Sequence, residues 1–200
     1  MENKYRSFLH PLRTIIAPPK ETLKVWDELN QKRKVIGIGG IDAHAHKYNL
    51  VGFLEVEIFP YKVLFKSIRT HILIDEAIKK GKTAKDIETA KWQIYNSLKE
   101  GRCFVANDYV AESKGFRFYA EFDGVKFQMG DTIRDHKNVK LKVFLPGITA
   151  EIKLLRNGHI IETNKGIDAE FVVNKKGAYR IEVYHEDRAW IYSNHIRVNI

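Results

Sequence analysis

The sequence predicts an α/β segment followed by an antiparallel β-sandwich. Up to about Asn107, apolar residues recur at helical spacing and then in short continuous runs, which is typical of alternating helices and strands. Beyond Asn107 the apolar period changes to two, and turn residues separate short strands with no helical period between them. The fold class is therefore α/β in the first half and all-β in the second.

The first predicted elements are a helix and a buried strand. Pro18 and Pro19 precede the first predicted helix. The apolar residues Leu23, Trp26 and Leu29 then recur at helical spacing, and the helical pattern runs through Lys34. The run Val35–Ile38 is apolar at nearly every position. Such a run is typical of a parallel strand that is covered on both faces.

A second helix and strand follow. Thr83 is a suitable N-cap with Asp86 three residues on, and Gly101 supplies a stop signal. The run Cys103–Ala106 then predicts another short buried strand.

The second half alternates apolar and polar residues between turn signals. Pairs such as Asp123-Gly124 and Asn157-Gly158 predict hairpins. Together the alternating runs predict a sandwich of roughly seven strands. The runs are Phe116–Phe122, Val125–Met129, Val139–Leu145, Ile152–Leu154, Ile160–Ile161, Tyr179–Val183 and Ile196–Val198.

Composition narrows the class of protein. The 200 residues are 44% hydrophobic, which is enough for one sizeable core or two small ones. The formal net charge is +9, but Lys and Arg alternate with Asp and Glu, and no nucleic-acid motif accompanies them. We therefore expect a solvated basic surface and no nucleic-acid partner.

The cysteine count and the hydropathy of the chain indicate its cellular compartment. Cys103 is the single cysteine and cannot form an internal disulfide. The first residues lack an apolar signal core, and no apolar run approaches the roughly 18 residues that span a bilayer. We expect a cytoplasmic protein without membrane partners.

The most informative motif is Gly39-Gly40-Ile41-Asp42-Ala43-His44-Ala45-His46. In extended backbone, alternate residues share one face, so Asp42 and His44 would project together. A carboxylate oxygen and an imidazole nitrogen can bind one divalent metal ion, and His46 is a possible third ligand. The alternative is a polar turn in which Asp42 caps the following segment and the histidines face solvent.

Other candidate residues carry weaker signals. His10 precedes a proline in a loop, and His71 lies in an apolar run that favours a hydrogen-bonded core histidine. His195 has no acid near it in the sequence. The aromatic residues Tyr184, Trp190 and Tyr192 could form a sugar-binding strip, although such residues more often fill a sandwich core.

The motif at Gly39–His44 resembles the last metal-binding motif of the PHP (polymerase and histidinol phosphatase) superfamily of metal-dependent phosphoesterases. A wider similarity covers most of the chain. It runs through the segments Pro19–Leu29, Arg69–Leu73, Leu98–Arg102 and Trp190–Asn194.

The resemblance implies that residues 1–107 are the carboxyl-terminal part of a distorted (β/α) barrel and that residues 108–200 are a β-sandwich domain. It makes Asp42 and His44 metal ligands. The family's early His-x-His pair and intermediate ligands have no counterpart here, and Ile41 stands where members often carry Ser. We therefore expect a fragment or a shortened reading frame.

In the intact enzyme, Zn²⁺, Mn²⁺ or Mg²⁺ would bind a phosphate-ester substrate and lower the pKa of bound water. This chain should hold such a metal weakly or not at all, and should be inactive alone. The alternative is a non-catalytic binding module that acts through the sandwich. A barrel without its remaining strands would expose apolar surface, so we also expect a homodimer formed through the first hundred or so residues.

Overall fold

A computed structural model describes residues 17–41, 43–50, 52, 54–58, 61–78, 81, 83–134 and 137–199. The described helices are α1 (Lys20–Lys32), α2 (Tyr61–Leu64) and α3 (Ala84–Glu100). Helix α1 lies where the apolar spacing predicts it. In the described part of the chain, no helix is both long enough and apolar enough to cross a membrane.

Both ends of helix α3 agree with the sequence signals. The Thr83 hydroxyl accepts a hydrogen bond from the Asp86 amide, and the Asp86 side chain accepts one from the Thr83 amide, which completes a capping box. The helix ends at Gly101, whose φ of 79° is a left-handed conformation that glycine adopts at little cost. The predicted helix boundaries are therefore confirmed.

The described strands form one hairpin and two larger sheets. The hairpin pairs β1 (His46–Leu50) with β2 (Leu54–Ile58). An eight-stranded sheet contains β3 (Ile68–Ile72), β4 (Cys103–Asn107), β7 (Thr132–Arg134), β9 (Ala150–Arg156), β10 (His159–Gly166), β12 (Gly177–His185), β13 (Arg188–Ser193) and β14 (Ile196–Asn199). A four-stranded sheet contains β5 (Arg117–Phe122), β6 (Val125–Gln128), β8 (Val139–Phe144) and β11 (Asp168–Val173).

The two larger sheets enclose one hydrophobic core, so the β-sandwich is confirmed. Its described strand pairs are antiparallel except for β7 with β14, which is parallel. Alternate residues point inward in strands such as β8 and β11; in β8, Val139, Leu141 and Val143 are buried and Lys140 is exposed. Ten strands are described from Arg117 onward, rather than the seven predicted. Positive φ angles at Asp123-Gly124 and Asn157-Gly158 match the predicted hairpin turns.

The expected (β/α) barrel remnant is not supported. Strands β3 and β4 pair with each other in antiparallel orientation, and β4 pairs antiparallel with β13. A barrel would need parallel neighbours joined through helices, whereas these strands extend the sandwich sheet. The predicted strand Val35–Ile38 is also wrong, because residues 34–41 belong to no sheet.

The expected division at residue 107 remains a prediction, but the eight-stranded sheet crosses that position. Strands β3 and β4 precede the boundary, and β13 follows it. Phe104 and Ala106 of β4 also belong to the core that the sandwich strands build.

One irregularity of the large sheet matters for the site. Strand β12 pairs first with β14 and then with β13, at Tyr179↔Ile196 and Glu182↔Tyr192. Between these two pairs, β12 advances by three residues and its partner strands by four. The partner strands therefore contain one extra residue, which is a β-bulge. The extra residue lies among residues 193–195, where Asn194 and His195 connect β13 to β14.

Candidate functional site

The structure places only part of the predicted metal motif. Asp42 lies outside the described residues, as does His10. His44 is exposed and lies in irregular backbone, and His46 is the first residue of β1. The shared face of Asp42 and His44 therefore stays a prediction.

The segment that leads into the motif is held by three side chains at alternate residues. Asn30 of helix α1 donates to the Val35 carbonyl at 3.0 Å and accepts from the Val35 amide at 3.2 Å. Asn194 accepts from the Gly37 amide at 2.7 Å and donates to the Gly37 carbonyl at 3.0 Å. Both backbone groups at each of these residues thus have a partner without a neighbouring strand.

The third attachment comes from strand β3. The Thr70 hydroxyl accepts from the Gly39 amide at 2.9 Å and donates to the Gly39 carbonyl at 3.0 Å. We call Asn30, Asn194 and Thr70 the backbone clamps. They give the backbone of residues 35, 37 and 39 hydrogen-bond partners although this apolar run is not part of a sheet.

The glycines of this segment are required by close packing. A Cβ atom built on Gly37 would lie 2.5 Å from Cζ2 of Trp26, and one built on Gly39 would contact a methyl group of Val105. Gly40 differs, because a Cβ atom there would meet nothing within 4 Å. Gly37 therefore packs closely against helix α1 and Gly39 against strand β4, whereas Gly40 has open space at its Cβ position.

The described residues do not amount to a metal site. Among them, no three His, Cys, Asp or Glu side chains lie close enough together to hold a metal ion. Asp42 and the side chain of His46 lie outside what the structure describes, so the predicted ligand set stays a prediction.

A second polar cluster joins strand β3 to the loop after β4. The Asp108 carboxylate lies 2.9 Å from Nε2 of His71, and the Ser113 hydroxyl donates to the same carboxylate at 2.5 Å. Arg69 donates to Asp108 at 3.1 Å, and the His71 ring stacks on Phe104. His71 is thus a hydrogen-bonded, partly buried histidine, as its apolar surroundings predict.

This cluster contains Ser, His and Asp but does not have the geometry of a catalytic triad. Ser113 Oγ lies 3.0 Å from Nε2 of His71, the same nitrogen that Asp108 contacts. In a triad the acid and the nucleophile contact opposite nitrogens of the imidazole ring. Ser113 is also fully buried, so its hydroxyl is not accessible to a substrate. The cluster instead holds the loop after β4 against strand β3.

The most buried charged group of the described chain lies beneath helix α1. Arg180 Nε and Nη2 donate to the two oxygens of Asp27 at 2.7 and 2.8 Å. The third nitrogen, Nη1, donates to Glu182 at 2.6 Å. His195 Nε2 lies 2.8 Å from Asp27, and the His195 ring meets Trp26 edge-on at 4.6 Å.

Burial and charge pairing set the protonation of this group. Burial alone would raise the pKa of Asp27, but hydrogen bonds from Arg180 and His195 hold it below its usual range. Burial lowers the pKa of His195, against the attraction of Asp27. At neutral pH the network therefore contains an ionised Asp27, a charged Arg180 and a neutral His195.

The sequence did not indicate this network. His195 has no acid near it in the chain, yet its partner Asp27 lies 168 residues away. One feature of the sequence could have indicated a buried ion pair. Asp27 lies four residues after Leu23 and next to Trp26, on the face of α1 that carries apolar residues. A carboxylate on such a face requires a buried partner.

Of the three residues of the predicted aromatic strip, Trp190 belongs to the core, and Tyr184 and Tyr192 form a hydrogen-bonded pair. Trp190 is buried in the sandwich and donates to the Ala111 carbonyl at 2.8 Å. The hydroxyls of Tyr184 and Tyr192 lie 3.1 Å apart, and Tyr184 donates to Glu182 at 2.9 Å. Burial raises the pKa of both tyrosines. These contacts do not form an open aromatic platform for a sugar.

Cys103 lies behind the Gly37 segment. It is fully buried, and Asn194 donates to its sulfur at 3.2 Å. Burial raises the pKa of the Cys103 thiol to about 11, against the effect of that hydrogen bond.

Comparison of the chain with protein-family models, with curated proteins and with solved structures found no match.

Proposed function

We propose that this chain is the carboxyl-terminal region of a PHP-type metal-dependent phosphoesterase and that it is inactive alone. The proposal is supported by the motif at Gly39–His44. Its main structural support is the way the backbone clamps hold the segment up to Gly39 and leave His44 exposed. A rigid lead-in of this kind suits a segment that must present ligands at a defined place.

The ligand pair in this proposal is Asp42 and His44, with Zn²⁺, Mn²⁺ or Mg²⁺ bound weakly. The remaining ligands would come from elsewhere in the intact enzyme or from another chain. A phosphate ester is the proposed substrate class of that complete enzyme.

Calorimetric titration of the chain with Zn²⁺ and Mn²⁺ tests the ligand pair. We expect weak binding that disappears in Asp42→Ala and in His44→Ala. His159→Ala is the matched control, because His159 is exposed on strand β10, far along the chain from the motif. Equal binding by the wild-type chain and the two motif variants would contradict ligation.

A phosphatase assay with each of the three metals tests the expected inactivity. We expect no turnover of a small aryl phosphate. Turnover that is lost in Asp42→Ala and His44→Ala would show that the chain completes the site by itself.

A second candidate function is a non-catalytic binding module. It is favoured by strand β10, an edge strand in which residues 159–165 are all exposed, including Ile160 at 54% and Ile161 at 45%. An exposed edge can pair with an extended segment of a partner. Capture of extended peptides by the wild-type chain, lost when Lys replaces Ile160, would favour this function.

A further inference from the structure

Helix α1 and the segment after it are joined to the sandwich by a small set of polar contacts. The bulge residues supply two of them. Asn194 holds the Gly37 backbone, and His195 contacts Asp27 of the helix. Arg180 of strand β12 adds the bidentate pair with Asp27. Two contacts of α1 with the sandwich therefore belong to one buried cluster, while Thr70 and Glu100 hold Gly39 and Lys34 outside it.

His195 lies at the centre of this cluster and is 3% exposed. It faces Asp27 and Trp26 from helix α1, Arg180 from strand β12 and Arg197 from strand β14. Because an ionised carboxylate only accepts hydrogen bonds, the imidazole proton lies on Nε2, which contacts Asp27. The other ring nitrogen, Nδ1, is buried and has no hydrogen-bond partner among the described residues.

A second proton on this ring would be poorly accommodated. It would create an N–H group at Nδ1 with no acceptor among the described residues. It would also add a positive charge beside Arg180 and Arg197, in a place closed to water. The attraction of Asp27 opposes this cost, but Asp27 is already paired by two hydrogen bonds from Arg180.

We propose that helix α1 and residues 35–39 form a proton-sensitive latch, docked on the sandwich while His195 is neutral and released when His195 is protonated. This device goes beyond the proposed phosphoesterase function and does not depend on it. Release would free the Gly37 and Gly39 backbone from Asn194 and Thr70.

The direction of the pH effect follows from proton linkage. The pKa of His195 in the docked state lies below its ordinary value, so the released state binds the proton more readily. Docking is fully stable above the ordinary histidine pKa of about 6.5 and weakens as the pH falls below it. The docking equilibrium should change by about tenfold per pH unit until His195 is protonated in the docked state as well.

Hydrogen–deuterium exchange of the full chain, corrected for intrinsic rates, tests the latch between about pH 7.5 and about pH 5. The Gly37 amide reports docking, because its partner is the Asn194 side chain. We expect its protection to be constant above about pH 6.5 and to fall about tenfold per pH unit below it, while strands β9 and β12 stay protected. In His195→Gln, which keeps a donor near Nε2 but cannot be protonated, protection should not depend on pH. His159→Gln should behave as the wild type.

The same slope in the wild-type chain and in His195→Gln would overturn the proposal, as would simultaneous loss of protection in the sandwich. If His195→Gln does not fold, an NMR titration of the His195 imidazole in the wild-type chain tests the proposal instead. The latch requires the His195 ring to stay neutral for as long as Gly37 is protected. A ring that titrates at its ordinary pKa while Gly37 remains protected would overturn it.

Discussion

Asp27 and Arg180 form a bidentate ion pair across 153 residues of sequence, with both side chains almost completely buried. The pair joins the first helix to a central strand of the sandwich. Glu182 and His195 complete its hydrogen bonds, so neither charge is left without partners.

Asp27→Asn should destabilise the chain by about 3 kcal/mol, because it leaves the charge of Arg180 buried and only partly compensated. Urea denaturation followed by circular dichroism measures the loss. Glu28→Gln is the control, since the Glu28 side chain is 57% exposed and its change should cost less than about 0.5 kcal/mol. Equal stabilities of the two variants would show that the pair contributes little.

Gly37→Ala should lower the free energy of unfolding by about 1–3 kcal/mol, because the added methyl group overlaps the Trp26 ring. That ring cannot easily move, since its Nε1 donates to the Val35 carbonyl at 2.9 Å. Gly40→Ala is the matched control and should change stability by less than about 1 kcal/mol. Thermal melts of both variants test the difference. A Gly37→Ala variant as stable as the wild-type chain would contradict the close packing.

The Cys103 thiol should be unreactive in the folded chain at about pH 8, because it is buried and its pKa is raised to about 11. A colorimetric thiol reagent should modify it slowly in buffer and rapidly in denaturant. Fast modification of the native chain would mean that the Gly37 segment opens readily and exposes the sulfur.

Residues 108–200 should fold by themselves, but less stably than residues 103–200. The longer fragment keeps strand β4, which covers the edge of β13 and contributes Phe104 to the core. Loss of a buried phenylalanine costs about 3 kcal/mol. Melts and amide NMR dispersion of both fragments test this expectation. A collapsed spectrum for residues 108–200 would contradict an independent sandwich domain.

The expected homodimer should depend on the first half of the chain. Ile38 is 71% exposed beside the motif, so Ile38→Asp should shift a dimer to monomer in light scattering. Val125→Asp is the control, because Val125 is 55% exposed on strand β6 of the second half. A monomeric wild-type chain would contradict the dimer, as would dimerisation of the sandwich alone.

Local features of this protein were predictable from sequence because local interactions determine them. Helix α1, the capping box at Thr83, the glycine stop at Gly101 and the hairpin turns each depend on residues within a few positions of one another. The alternating runs of the second half predicted a sandwich for the same reason, since a period of two buries one face of each strand.

The arrangement of the first half depends on long-range contacts that the sequence pattern does not specify. The apolar run at Val35–Ile38 has the composition of a buried strand, but the side chains of Asn30, Asn194 and Thr70 take the place of strand neighbours. The pairing direction of β3 and β4, and the partnership of Asp27 with Arg180 and His195, join residues that are distant in sequence. Such contacts form because burial requires every charge and backbone group to find a partner, and a local pattern does not specify which distant residue supplies it.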